Sequence, residues 1–271
     1  PENALGNAEE IKAPQAWRTR IPEELYPTTW VTELCIDALE RFAQDPERPF
    51  FLQCGYTDPH HPFTPPGKYW DMYDPAEIPV PGSLGAEHTD PPPFIGRLKE
   101  ALARGAANRT YVHPYAVDEQ EARESIALTY GMISMVDDGI GRILAKLDGL
   151  GLADNTIVIY TSDHGDVMGD HGIMLKHGLH TEGVIRMPMI WADPEAQAGQ
   201  RSDMLASAID FMPSVLARAG LQPFTGVQGV DVVGLVQKGR QPDRTGVIIE
   251  ADELPENVDV EDFFKVRTFT D

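Results

Sequence analysis

The chain has 271 residues, 42% of them hydrophobic, which is enough for one large core or two modest ones and argues against wholesale disorder. Its 43 acidic against 22 basic residues leave a formal charge of -21. That balance argues against nucleic acid or an anionic membrane as partner, because neutralising phosphate needs clustered lysine and arginine. A small anionic substrate stays admissible if a cation and a few local positive groups invert the field inside one pocket.

Cys35 and Cys54 lack metal-ligand spacing and each sits in a run that reads as buried helix or strand, so both are expected in the core rather than in a disulfide. No apolar run approaches a membrane span, and residues 1–20 lack the basic start and apolar middle of a signal peptide. A chain opening on "PENALGNAEE" without methionine need not start where its gene does.

In chain order, "TTWVTELCIDALERFAQD" (28–45) places Val31, Leu34, Cys35, Ala38, Leu39 and Phe42 on one face of an amphipathic helix. Phe50 to Tyr56 is a continuous apolar run of strand length, expected to be buried on both faces, and it enters the loop "TDPHHP". Residues 57–118 hold much of the proline and read as a long irregular excursion. Glu119 to Leu147 carries Ile126, Tyr130, Ile133, Val136, Ile140, Ile143, Leu144 and Leu147 at helical spacing, predicting one long docked helix. Gly131, Gly139 and Gly141 inside it each cost about 1 kcal/mol against alanine, so close packing is the expected compensation.

A second buried strand is expected over Thr156 to Tyr160 and a third around Met189 to Trp191. "MLASAIDFMPSVLARAG" (204–220) predicts a helix that Pro213 kinks or starts late, closed by Gly220. "TGVIIEA" predicts a strand and "DELPENVDVED" an acidic exposed loop. Helix and strand in alternation indicate an α/β protein.

Residues 158–188, "VIYTSDHGDVMGDHGIMLKHGLHTEGVIRMP", concentrate four histidines, three aspartates and a lysine after a strand. In an open α/β sheet, ligands bind beyond the carboxyl ends of strands. Two strands here end in polar clusters, one at Asp58, His60 and His61, the other at Ser162, Asp163 and His164.

Asp163 and His164 can both reach one divalent cation, with Gly165 letting the backbone bend away; the competing reading is an Asx-turn with an idle histidine. Lys176 either snorkels from an apolar surface or holds a tetrahedral anion. His60, in a loop stiffened by proline, is either a positioned donor or a surface residue, and His61 points elsewhere if His60 points in. Glu182 and Arg186 have the spacing of a helical ion pair, which competes with a role in the site. Asp137 and Asp138 fall mid-helix and read as buried hydrogen-bonding groups rather than paired catalytic carboxylates.

Taken in order, "RPFFLQCGYTDPHHPFTPPGKYWDMY", the stretch from "SMVDDGIGRILAKL" through "SDHGDVMGDHGIMLK" to "EGVIRMPMIW", and "IDFMPSVLARAG" resemble the type I sulfatases of the alkaline phosphatase superfamily. The resemblance covers most of residues 28–235. It implies an α/β fold with a mixed, largely parallel sheet sandwiched by helices, incomplete here, with residues 1–235 as the middle and later part of the catalytic domain and 236–271 as the start of a C-terminal subdomain. It implies hydrolysis of sulfate esters with a divalent cation, calcium first and manganese or magnesium as alternatives, and a formylglycine nucleophile. Asp163 and His164 are similar to two of the metal ligands, and Lys176 and His60 to the residues that contact the sulfate and the leaving oxygen.

Neither a C-x-P-x-R or C-x-A-x-R segment nor the aspartate pair of a first strand is present: Cys35 is followed by "IDAL" and Cys54 by "GYTD". The nucleophile is therefore expected in a missing N-terminal part, and these residues alone are expected not to turn over. The substrate class implied is a small-molecule or carbohydrate sulfate ester. Two other readings stand beside it, a phosphonate monoester or phosphodiester hydrolase on the same scaffold and a non-catalytic anion-binding fragment. Compartment and oligomeric state are not legible in the sequence.

Overall fold

The computed structural model describes residues 11–87, 93–107, 109, 114–176, 180–253 and 264–270. The chain divides into two compact units, residues 1–155 with 166–176, and residues 156–165 with 177–271.

In the first unit, helix α1 (Pro27–Phe42) starts on a proline, whose fixed φ and missing N–H suit the first turn. It buries Thr28, Thr32, Cys35, Ile36, Ala38 and Leu39, whereas Leu34, expected inside, is 45% exposed. The buried face is rotated toward the threonines because the Thr32 hydroxyl donates to Thr28 O at 2.8 Å, so the polar group enters the core already satisfied.

The segment Phe50 to Tyr56 forms no ladder among the described residues, and its burial alternates, with Phe51 82% exposed. The expected strand buried on both faces is thus an extended segment covered on one side. Residues 57–118 are less irregular than expected. Helix α2 (Pro93–Ala103) interrupts them, followed by strand β1 (Tyr115–Ala116). Proline density masked this helix, because its proline occupies the first helical position, where it costs no hydrogen bond.

Helix α3 (Glu119–Gly149) opens on a capping box: Asp118 accepts from Glu121 N at 2.8 Å, and the Glu121 carboxylate accepts from Asp118 N at 2.9 Å. Gly131 and Gly139 are close-packed as expected, since a Cβ would lie 2.2 Å from Tyr69 O at the first and 2.6 Å from Thr32 Oγ1 at the second. Gly141 faces open space, so packing does not explain it. On the exposed surface Arg142 pairs with Glu33 at 2.5 Å and Lys146 with Glu40 at 2.6 Å, each worth about 1 kcal/mol or less.

The core of this unit gathers Phe63, Tyr115, Ala122, Met132, Met174 and Leu175, each at most 1% exposed. Burial of Phe63, Met132, Met174 and Leu175 contributes about 1.5–3 kcal/mol each. Strand β2 (Val158–Thr161) belongs to the second unit, and β3 (Ile173–Met174) to the first, where it pairs antiparallel with β1. The three ladders among the described residues are antiparallel, and parallel pairing occurs there as the isolated bridge Ala16–Phe63, outside any strand.

In the second unit, a short helix α4 (Glu182–Ile185) precedes β4 (Met189–Ala192), which pairs antiparallel with β2, Ile159 opposite Trp191. Both strands fall where the sequence placed them, yet Ile159, Tyr160 and Ile190 are 37%, 41% and 58% exposed, so neither strand is buried on both faces as expected. Helix α5 (Phe211–Arg218) starts late, as Pro213 required, after a single 3-10 turn.

Asp210, fully buried, fastens this region by accepting from Ser207 N at 2.7 Å and Val230 N at 2.9 Å and by pairing with Arg244 at 2.5 Å. Helix α6 (Val232–Gln237) and an antiparallel hairpin of β5 (Val247–Glu253) and β6 (Phe264–Thr270) complete the unit. The predicted "TGVIIEA" strand is β5. Most of the acidic loop expected beyond it lies outside the described residues.

Candidate active site

Strand β2 ends at Thr161, and the chain turns at once through Ser162, Asp163 and His164. Asp163 Oδ1 accepts from His164 N at 2.9 Å and from the Ser162 hydroxyl at 3.3 Å, the local bonding of an Asx-type turn. That bonding leaves Oδ2 directed at the imidazole: His164 Nε2 lies 3.5 Å from it. On the far side of the ring, Nδ1 lies 2.8 Å from Gly165 O. In the neutral tautomer whose Nδ1–H donates to that carbonyl, Nε2 carries the lone pair.

The turn reading and the ligand reading are therefore compatible, because one carboxylate oxygen shapes the turn while the other stands beside an acceptor nitrogen. Burial pulls the Asp163 carboxyl upward, but the His164 N–H, the neighbouring imidazole and the Ser162 hydroxyl outweigh it and hold the group below the usual carboxylate range. A carboxylate kept ionised suits a cation ligand.

Gly165 has a different role from the one expected. A Cβ there would lie 1.9 Å from Gly183 O, and Gly165 N donates to Val184 O at 2.8 Å. The glycine lets the α4 backbone press against the turn that carries Asp163 and His164. Glu182 and Arg186 form the surface ion pair of a short helix, at 3.2 Å with both side chains more than 70% exposed.

Lys176 belongs to the other unit, as does His60. Lys176 follows Met174 and Leu175, both fully buried, and its Nζ lies 3.8 Å from Asp166 Oδ2 with the two side chains 14% and 17% exposed. It is neither snorkelling into solvent nor free. Burial raises the Asp166 carboxyl above its usual range, and the lysine opposes that rise.

The backbone between them is strained, with positive φ at Met168 (48°), His171 (56°) and Leu175 (70°). Each such non-glycine residue costs of order 1 kcal/mol and persists only where packing over-determines it. Here that packing is the core of the unit, which contains Leu175.

His60 is exposed, whereas His61, its ring stacked on His60 with centroids 4.0 Å apart, is only 7% exposed, so it is His61 that turns into the protein. His60 Nδ1 lies 2.5 Å from His61 O, which again leaves Nε2 as the available nitrogen. The loop is pinned from both sides. The Thr28 hydroxyl donates to Asp58 Oδ2 at 2.5 Å, and Phe63 N donates to Gln15 O at 2.9 Å. Burial raises the Asp58 carboxyl, the Thr28 bond opposing it. No hydrogen bond or ion pair joins His60 to Lys176 among the described residues.

Asp137 and Asp138 are both exposed rather than buried. Asp138 does bond a neighbouring segment, accepting from the Tyr69 hydroxyl at 2.6 Å and from Lys68 at 3.2 Å. Sequence reasoning gave Asp166 no role; its spacing of three from Asp163 in "DHGD" was the available signal. Among the described residues no cluster of three or more histidine, cysteine, aspartate or glutamate side chains is arranged to hold a metal, and no helix is long and apolar enough to cross a membrane.

The sulfatase family model matches residues 9–221, a span containing all four candidate residues. An arylsulfatase of Clostridium perfringens is 33% identical over 221 residues, covering 80% of this chain and 43% of that protein. The multifunctional alkaline phosphatase superfamily protein PehA of Trinickia caryophylli is 33% identical over 242 residues, covering 86% of this chain and 46% of its own length. Among solved structures, a phosphonate monoester hydrolase of Silicibacter pomeroyi superposes with a TM-score of 0.76 at 23% identity, over 95% of this chain and 51% of that one.

The fold is that of the alkaline phosphatase-like sulfatases, an α/β architecture. The chain belongs to the sulfatase family and spans less than half the length of these two curated relatives.

Proposed function

We propose that this chain is part of a sulfuric ester hydrolase that acts on a small-molecule or carbohydrate sulfate ester, with a divalent cation and a formylglycine nucleophile supplied by a segment outside these 271 residues. The observation that carries the reading is the pairing of Asp163 Oδ2 with His164 Nε2 at 3.5 Å, the imidazole tautomer leaving a lone pair on that nitrogen. Two donor atoms at that separation fit a cation about 2.0–2.6 Å from each. Calcium is the first candidate and manganese or magnesium the alternatives. Two ligands fall short of a full shell, so the remainder would come from elsewhere. A bound cation would supply Lewis-acid stabilisation of developing negative charge.

The chain's own contribution is positional. Lys176, seated on the core and held by Asp166, presents a fixed positive charge suited to an ester oxygen. His60, on a loop pinned at Asp58 and Phe63, would use Nε2 to hydrogen-bond or protonate a departing alcohol oxygen, its Nδ1 being engaged by His61 O. A second reading, hydrolysis of phosphonate monoesters or phosphodiesters, is favoured by His164 at the second ligand position and by the likeness to PehA and to the Silicibacter structure.

The test is hydrolysis of an aryl sulfate and an aryl phosphodiester by the protein that includes the upstream segment. The sulfatase reading expects faster turnover of the sulfate, with a loss of about 10²–10⁴-fold on Lys176→Ala or His60→Ala. Faster turnover of the phosphodiester selects the second reading. Sulfate binding with no hydrolysis of either selects an anion-binding role.

A further inference from the structure

Helix α1 and the segment Phe50 to Tyr56 run antiparallel along one seam of the first unit. At one end the Thr32 and Tyr56 hydroxyls are hydrogen-bonded at 2.9 Å. At the other, the rings of Phe42 and Phe50 stack with centroids 4.8 Å apart and an interplanar angle of 9°. Between these two contacts the order of residues corresponds rung by rung, the helix advancing about 15 Å and the extended segment about 20 Å. Thr32, Cys35, Leu39 and Phe42 form one helical stripe, while Tyr56, Cys54, Leu52 and Phe50 share one side of an extended chain.

The burial of the segment supports this, since Phe50, Leu52, Cys54 and Tyr56 are half-buried and Phe51, Gln53 and Gly55 exposed. Cys35 lies about 4.5 Å along the helix from Thr32. Cys54 lies about 6.6 Å along the segment from Tyr56. The two cysteines therefore form the next rung of the seam, and both are free thiols.

We propose that Cys35 and Cys54 are a dithiol–disulfide site that couples helix α1 to the Phe50–Tyr56 segment when a low-molecular-weight disulfide is present. The half-buried Cys54 meets the oxidant first. Its thiolate attacks one sulfur of the small disulfide, forming a mixed disulfide and releasing one small thiol. Cys35 then attacks Cys54 Sγ and displaces the second small thiol. Two protein thiols are oxidised by two electrons, the small disulfide is reduced, and the two protons lost by the cysteines leave on the two departing thiols.

Burial first, then the hydrogen bond and charge of Cys54, push the Cys35 thiol up to about 12. The second step is therefore the slow one and accelerates with rising pH. The proposal is independent of the hydrolase reading.

The test treats the 271-residue chain with oxidised glutathione, then blocks free thiols, maps peptides without reduction and records the thermal midpoint. The expected result is a loss of two hydrogens in mass, a crosslinked Cys35–Cys54 peptide and a midpoint about 5–10 °C higher. Cys35→Ser should stop at a glutathione adduct on Cys54, and Cys54→Ser should react more slowly than the native chain. Unreacted thiols, a stable Cys54 adduct in the native chain, or a disulfide between two chains would each overturn the proposal.

Discussion

Asp166 Oδ2 lies 3.8 Å from Lys176 Nζ, with both side chains largely withdrawn from solvent. Removing the lysine alone leaves a buried carboxylate without its counter-charge. Lys176→Met is therefore expected to destabilise the fold by about 1–3 kcal/mol. Adding Asp166→Asn to that variant should restore part of the loss, because no unpaired charge remains. Urea unfolding of the two single variants and the double variant measures the coupling; strict additivity would show that the pair contributes nothing.

Asp163 and His164 face solvent, their side chains 83% and 42% exposed. Alanine at either position should move stability without metal by less than about 0.5 kcal/mol. In the protein that includes the upstream segment, calcium should raise the thermal midpoint, and each substitution should remove that rise. A rise of the native size in both variants would place the cation elsewhere.

Asp58 is half-buried, and the desolvation raises its carboxyl above the usual value, so the folded state binds a proton more readily than the unfolded chain. Where the unfolded state holds fewer protons, stability falls as pH rises. Asp58 therefore costs stability at neutral pH, and the cost fades as pH drops toward the ordinary carboxylate value. Asp58→Asn keeps an oxygen to accept from Thr28. It should raise the urea midpoint at pH 7, with the difference shrinking by pH 4. A destabilised variant at pH 7 would show that the charge itself is needed.

Gly131 and Gly141 offer opposite outcomes on one helix. Gly131→Ala must push against Tyr69 O and is expected to destabilise by about 1–3 kcal/mol despite a better helix propensity. Gly141→Ala meets nothing within 4 Å and should stabilise by about 0.5–1 kcal/mol. Thermal denaturation of the two variants decides it, and equal signs would mean that close approach does not govern these positions.

Periodicity located α1, α3, β2, β4 and β5 within a few residues, because each has a run long enough, or flanking signals sharp enough, to reveal its period, whereas the 204–220 run holds a helix only from Phe211. Helix α2 escaped because its proline count was weighed without regard to position. The inward face of α1 was misjudged for another reason: hydropathy treats Thr28 and Thr32 as polar, while the fold buries both with hydroxyls bonded.

The sequence by itself determined the family and the candidates His60, Asp163, His164 and Lys176, because residue type and order along the chain are what a motif records. Tertiary structure alone decided which oxygen of Asp163 is left beside the imidazole and which carboxylate holds Lys176. It also decided that Gly165 admits a neighbouring backbone and that Cys35 lies against Cys54. Those relationships depend on contacts between residues distant in sequence or on rotamers chosen by packing, and neither is written in local spacing.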